Sequence, residues 1–522
     1  MINRRTVLAG AAASFAHMAV TPARAAGDPI VQTAAGKVRG TSENGLKVFR
    51  GVRYGEDTAP IRFRAPTPVQ PWSGVKGATR FAPVCPQRGD RYSPQSEDCL
   101  FLNIWTPDSN IKASRPVMVY FHGGAYSSGS VTDPLNDGQH LAARGDVVVV
   151  TVNHRINALG YLYLAGLDPR FADSGNAGQL DLILALQWIK QNITAFGGDP
   201  SNVMVFGQSG GGAKIATLMG MPAADGLFHA AATMSGQQVT ASGAGNATAR
   251  TRSYLGEMGI AEARLDDLLQ APVEKLVVAL GAPDPILTKR VYFGPVLDMK
   301  WMTRHPFWPD ANPQSLTIPM ILGNTRDETR AFIDPDSEKI RGLNWDNIVE
   351  RLAPDLIVDL PPAWVVAEYR QHFPNYSPER LYYAATTAGR SWPGQVIEAD
   401  ARAKAGAEAT WVYQLDFQSP TDPKRGAFHT HDIPLVFGTL AAAGSKTGTG
   451  AMAQRMSHQM MDAFIALARY GQPSHQGLPQ WPAYALPDRA TMVFDIETQA
   501  KNDPRGWERE LFARGPYIQP GS

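Results

Sequence analysis

Cysteine is nearly absent: the chain has two, Cys85 and Cys99, in 522 residues. Two cysteines with no histidine cluster beside them argue against a zinc site. Long apolar runs are also missing. Past a short Ala-rich stretch near the N-terminus, no segment approaches the ~20 apolar residues that span a bilayer. The net charge is only +1, with no basic stripe, which argues against nucleic acid as a partner. Internal repeats and low-complexity tracts are lacking. What is present is a long chain, 44% hydrophobic, with ample material for a large core.

The first 26 residues read as a cleavable export signal rather than fold. Arg4-Arg5 is the positive region, Val7 to Val20 the short apolar region, and Ala23-Arg24-Ala25 an A-x-A cleavage site. The pattern around Arg4-Arg5 resembles a twin-arginine signal, with a general secretory signal as the alternative. A periplasmic or secreted protein is expected. In such a compartment Cys85 and Cys99 are expected to form a disulfide, the alternative being two buried thiols.

Residues 27–522 read as one α/β unit. Val31–Arg39 and Leu46–Tyr54 look like an antiparallel pair, and Leu100–Trp105 like a further strand. Val117–Phe121 and Val147–Val152 are continuous apolar runs of the kind buried on both faces of a parallel sheet. Leu180–Ile193 has helical periodicity, and Val203–Phe206 is again a strand. This βαβ alternation predicts a mostly parallel sheet with helices on both faces. Further strands are expected at His229–Ser235, Ile318–Gly323 and Trp411–Phe417, and a long helix at Met452–Tyr470. Helical insertions are expected around 240–315 and 336–405. The first carries Tyr292, Phe293, Trp301, Phe307 and Trp308, which read mainly as core, with pocket lining as the alternative.

The chemistry centres on Gly207-Gln208-Ser209-Gly210-Gly211, a G-x-S-x-G between a strand and a helix. That context holds a serine hydroxyl up on a strained turn at a strand's C-terminal end. A hydroxyl needs a base to take its proton, and the base needs an orienting acid. In chain order after Ser209 come Asp327-Glu328, just past a strand, and His429, in a loop past another. Spacing alone leaves Asp327 and Glu328 both open. The turn His122-Gly123-Gly124-Ala125 after a strand, with the N–H following the serine, is placed to hold a developing oxyanion.

These motifs resemble the type-B carboxylesterase family, which includes cholinesterases and para-nitrobenzyl esterases. The likeness extends through Glu97-Asp98-Cys99-Leu100-Phe101-Leu102-Asn103, Asn176-Ala177-Gly178-Gln179-Leu180-Asp181, Phe196-Gly197-Gly198-Asp199-Pro200, Arg326-Asp327-Glu328 and Val436-Phe437-Gly438. It implies an α/β-hydrolase fold with Ser209 as nucleophile, Glu328 as acid and His429 as base. It further implies an oxyanion hole of Gly124, Ala125 and Gly210, with Gln208, Ser235 and Asp432 in support. Asp327 and His431 are then bystanders.

Three departures from the family pattern stand out. Gln208 replaces the usual glutamate, which predicts preference for neutral or anionic esters. Gly210 replaces alanine. Ala125-Tyr126 replaces Gly-Phe, which is expected to narrow the acyl side and add a phenol hydroxyl. The Cys85–Cys99 segment has no tryptophan for a quaternary ammonium, so acetylcholine is a poor candidate. The expected activity is hydrolysis of a small-molecule carboxylic ester through an acyl-enzyme, with no metal, nucleotide or flavin. Alternatives are the same triad acting on an amide, carbamate, lactone or bulky natural-product ester, and a non-catalytic adhesion protein. The sequence does not address oligomeric state.

Overall fold

The computed structural model describes residues 28–522 except 288 and 391; the expected export signal lies outside the described residues. An eleven-stranded sheet runs through the molecule. Its strands in chain order are β1 (Thr41–Glu43), β2 (Leu46–Arg53), β3 (Phe101–Thr106), β4 (Arg115–Phe121), β5 (Val148–Val152) and β6 (Gly198–Gln208). They continue with β7 (Ala230–Met234), β8 (Met320–Thr325), β9 (Thr410–Leu415), β10 (Ala490–Phe494) and β11 (Gln499–Asn502). Across the sheet they lie in the order 11-10-9-8-7-6-4-5-3-2-1. The seven strands from β10 to β5 are mutually parallel, and the pairs at both margins are antiparallel.

Side-chain alternation divides the interior into two layers. Val117, Val119, Phe121, Val148, Val150, Val152, Val203 and Val205 pack on one face. Met118, Tyr120, Val149, Met204 and Phe206 pack on the other, with the long helix Ala451–Tyr470. Strands buried on both faces have no polar side to show, which is why they read as unbroken apolar runs. Helix α1 (Ala177–Asn192) covers the first face, and α2 (Gly210–Leu218) follows β6 directly.

The insertions fall where expected. Residues 240–315 contribute helices Ala244–Met258, Leu265–Gln270 and Val273–Val278. Residues 336–405 contribute Ile348–Leu352, Pro362–His372, Pro378–Ala388 and Trp392–Lys404, with an apolar core of their own. No helix among the described residues is long and apolar enough to cross a membrane.

Two expectations need correction. Residues 31–39 do not pair with Leu46–Tyr54. They fold back on themselves, Ile30–Gln32 against Lys37–Arg39, because Thr33 closes a tight turn with the Gly36 carbonyl through both its N–H and its hydroxyl. Strand β2 pairs instead with β1 and β3. The disulfide between Cys85 and Cys99 is not formed. Both are buried free thiols, and the Cys99 side chain is hydrogen-bonded to Cys85, which with burial raises its thiol well above the ordinary range. The loop is closed without a covalent link, through Val84 N–H to the Pro94 carbonyl at 3.0 Å and Ser96 N–H to the Val84 carbonyl at 2.9 Å.

Candidate active site

Ser209 sits between β6 and α2 at φ 55° and ψ −123°, a conformation that L-residues rarely adopt. Its N–H donates to the Met234 carbonyl at 2.6 Å, and its carbonyl accepts from Ala213 N–H at 3.0 Å. Close packing enforces the turn. A Cβ on Gly211 would lie 2.0 Å from the Phe121 carbonyl oxygen, and one on Gly210 would lie 2.0 Å from that of Ala125. The helix start is thereby pressed against the His122–Ala125 turn that leaves β4.

Glu328 follows β8 and is fully buried. One carboxylate oxygen, Oε1, accepts from Ser235 Oγ at 2.6 Å, Thr325 N–H at 2.9 Å and Asn324 Nδ2 at 3.0 Å. The other, Oε2, pairs with His429 Nδ1 in a short hydrogen bond. Burial alone would push this carboxyl up. The His429 ring and the bonds from His429, Ser235 and Thr325 outweigh it and hold the group below its usual value. Three donors on one oxygen leave the other aimed at the imidazole, fixing its tautomer.

The remaining predicted residues are distributed as follows. At the far side of the ring, Nε2 of His429 is hydrogen-bonded at 3.2 Å to Gln208 Nε2, not to the Ser209 hydroxyl. Resting-state contacts of this kind commonly tighten only when substrate enters. Asp432 makes no hydrogen bond to the imidazole. It is fully buried, accepts from Tyr413 OH at 2.8 Å, and is pushed up to about 6 by burial. His431 lies near Phe428 and Phe417, away from Glu328, and burial pulls it down to about 4. Asp327 holds the loop that carries His429, exchanging two hydrogen bonds with the Ala427 backbone, at 2.9 and 3.0 Å.

Among the described residues, no backbone carbonyl accepts from the N–H groups of Gly124, Ala125 or Gly210. Gly123, Gly124, Ala125, Gln208, Ser209 and His429 all line one cleft of about 620 Å³. The expected phenol is not there. Tyr126 is buried, its hydroxyl bound to Gln238 at 2.8 Å and Thr217 at 3.0 Å, because that side chain turns into the core beneath the turn. None of the five aromatics of the first insertion lines this cleft. Phe293 and Phe307 are core, Tyr292 and Trp301 pack against it, and Trp308 is exposed.

Sequence reading missed other cleft residues. Phe332 lies over His429 with ring centroids 4.9 Å apart, and Arg390 lies 4.0 Å above Phe332. Tyr92, from the Cys85–Cys99 loop, also lines the cleft, with Arg88 and Arg91. Only the proximity of Phe332 to Glu328 in sequence offered a hint.

A serine on a strained strand-to-helix turn, with a buried acid–imidazole pair at the ends of two later strands, is the arrangement of an α/β-hydrolase. The pattern of the carboxylesterase family matches residues 27–511, and the chain belongs to that family. It is 36% identical over 494 residues to para-nitrobenzyl esterase of Bacillus subtilis (strain 168), covering 92% of this chain and 98% of that one. It is 30% identical over 495 residues to fumonisin B1 esterase of Sphingopyxis macrogoltabida, covering 87% and 84%. A crystal structure of a Geobacillus stearothermophilus carboxylesterase superposes with a TM-score of 0.82 at 34% identity, covering 92% of this chain and 99% of that one. The protein is a carboxylic ester hydrolase.

Proposed function

We propose that Ser209, Glu328 and His429 carry out this hydrolysis. His429 takes the Ser209 proton as the hydroxyl attacks the ester carbonyl, and Glu328 steadies the imidazolium. The oxyanion rests on the N–H groups of Gly124, Ala125 and Gly210. His429 returns the proton to the leaving alcohol, and water then opens the acyl-enzyme by the same route. The observation that carries this reading is the buried pairing of Glu328 with His429 Nδ1 in the cleft that Ser209 also lines. The test is hydrolysis of a para-nitrophenyl ester by purified protein and its loss in Ser209→Ala.

The preferred substrates are neutral or anionic esters. Arg88, Arg91 and Arg390 line the cleft against a single carboxylate, Asp133, and Gln208 puts no charge beside the nucleophile. Arg91 pairs with Asp133 at 2.7 Å, while among the described residues the Arg390 guanidinium has neither hydrogen bond nor ion pair. A bulky ester is favoured over a small one by the cleft's volume and by the similarity to a fumonisin B1 esterase. A panel of esters differing in size and charge decides both points. Residues 27–522 act as one catalytic unit, and the Arg4-Arg5 leader directs export to the periplasm or beyond. Cell fractionation with and without that leader tests the second statement.

A further inference from the structure

Lys214 is fully buried on α2, five residues after the nucleophile. A buried ammonium is expected to have a carboxylate partner. Among the described residues Lys214 has none. Its Nζ donates to two main-chain oxygens, those of His122 at 3.1 Å and Ala125 at 3.0 Å. Among the described residues no backbone N–H reaches either oxygen. The amine also lies 5.7 Å from the ring centre of Tyr126. The nearby His122 and His154 rings stack 4.5 Å apart, and burial, with the Lys214 charge adding to it, holds both well below the usual imidazole range. An imidazole is neutral or positive, so neither ring supplies a counter-charge.

The two carbonyls bracket the turn Gly123-Gly124, and that turn is strained. Gly124 has φ 89°, and Ala125, which has a side chain, has φ 56°. Strain of this kind persists only where surrounding contacts over-determine the backbone. The bonds from Lys214 tie both ends of the turn to α2, the helix that begins directly after Ser209. Resting on the reading of Gly124, Ala125 and Gly210 as oxyanion donors, we infer that Lys214 is a positioning residue that holds those three N–H groups in one fixed arrangement. Burial lowers the amine to about 7. An ammonium has three N–H groups and a neutral amine two, so either form serves both carbonyls.

The experiment compares wild type with Lys214→Met, which fills the space without a donor, and Lys214→Gln, which keeps donors on a shorter arm. Each is measured for kcat and KM on a para-nitrophenyl ester, for inhibition by a trifluoromethyl ketone, and for melting temperature. The ketone forms a tetrahedral adduct on the serine and loads the oxyanion hole. The expected result for Lys214→Met is a fall in kcat/KM of about 10- to 100-fold, with KM within about twofold. The ketone's inhibition constant rises by the same factor, and Lys214→Gln recovers part of both losses. A folded Lys214→Met with unchanged ketone binding overturns the inference. If Lys214→Met does not fold, Lys214→Gln decides: ketone affinity that falls no more than substrate affinity overturns it, and a selective fall supports it. Loss of wild-type activity in Ser209→Ala is scored separately, so failure of the esterase chemistry is not confused with failure of the role of Lys214.

Discussion

The carboxamide nitrogen of Gln208 lies 3.2 Å from Nε2 of His429, the ring nitrogen that takes the Ser209 proton in the proposed mechanism. An amide in this position donates to the neutral ring and, turned over, accepts from the protonated one. It serves both protonation states without favouring the imidazolium by a full charge.

Glutamate at 208 ends that neutrality. A carboxylate at hydrogen-bond distance favours the protonated ring, which cannot act as base. Gln208→Glu is therefore expected to move the acid limb of the kcat/KM profile to higher pH, by about one unit. It is also expected to shift preference toward cationic esters. A pH series on a neutral ester, with matched charged substrates, checks both; unchanged charge selectivity would count against the assigned role of Gln208.

Glu328→Gln keeps the shape of the acid but loses the charge that orients and stabilises the imidazolium. A fall in kcat of about 10³- to 10⁴-fold is expected, with a folded protein by circular dichroism. The carboxyl is held below its ordinary value of 4.5, so it contributes stability above that pH and loses it as pH falls through the lower folded value. Urea melts of the variant should therefore vary less with pH below about 4.5.

Asp432 has the opposite sign. Its folded value, about 6, lies above its ordinary 3.8, so the buried carboxylate costs stability above pH 6 and nothing below 3.8. Asp432→Asn is expected to raise unfolding free energy at pH 8, by at most roughly 3 kcal/mol, and to leave it unchanged near pH 3.5. Equal gains at both values would refute the account.

The methyl group missing at Gly210 reappears at Ala125. In the pattern that the sequence resembles, alanine commonly stands at the first position and glycine at the second, so here the two are exchanged. A Cβ on Gly210 would meet the Ala125 backbone, with its oxygen at 2.0 Å and its Cα at 2.5 Å. Gly210→Ala alone is expected to lower kcat/KM by at least 100-fold by displacing the oxyanion turn. Adding Ala125→Gly, which frees the strained φ of 56°, should restore most of the loss. Kinetics on the double-mutant cycle measures the coupling.

Arg390 is expected to contribute to substrate choice rather than to chemistry. Arg390→Leu should lower kcat/KM for carboxylate-bearing esters by about tenfold while leaving neutral esters within twofold. A parallel loss on both classes would show that the guanidinium only supports Phe332.

The sheet, the strained serine turn and the Glu328–His429 pair were legible because each left a local mark. Val148–Val152 is buried on both faces and reads as an unbroken apolar run; Ser209 needs glycines within two residues; Glu328 and His429 each follow a strand. The hairpin at 30–39 was not, since a tight Thr33–Gly36 turn without Asn-Gly or Asp-Gly chemistry is easily read through. The two C-terminal strands were missed: β10 (Ala490–Phe494) has Val493 as its one β-branched apolar residue, and β11 is exposed along its whole length. Lys214 looks like any helical lysine, because its importance depends on carbonyls about ninety positions away. Arg390 and Phe332 are likewise made neighbours only by the fold.

Ser209, Glu328 and His429 hang from the ends of β6, β8 and β9, while Phe332 and Arg390 come from the chain that leaves the sheet between β8 and β9. Part of the recognition surface is therefore encoded apart from the residues proposed to react. Libraries confined to codons 330–405 should diversify which molecules are accepted while sparing turnover itself, giving evolution, or an engineer, a region to vary without rebuilding the catalyst.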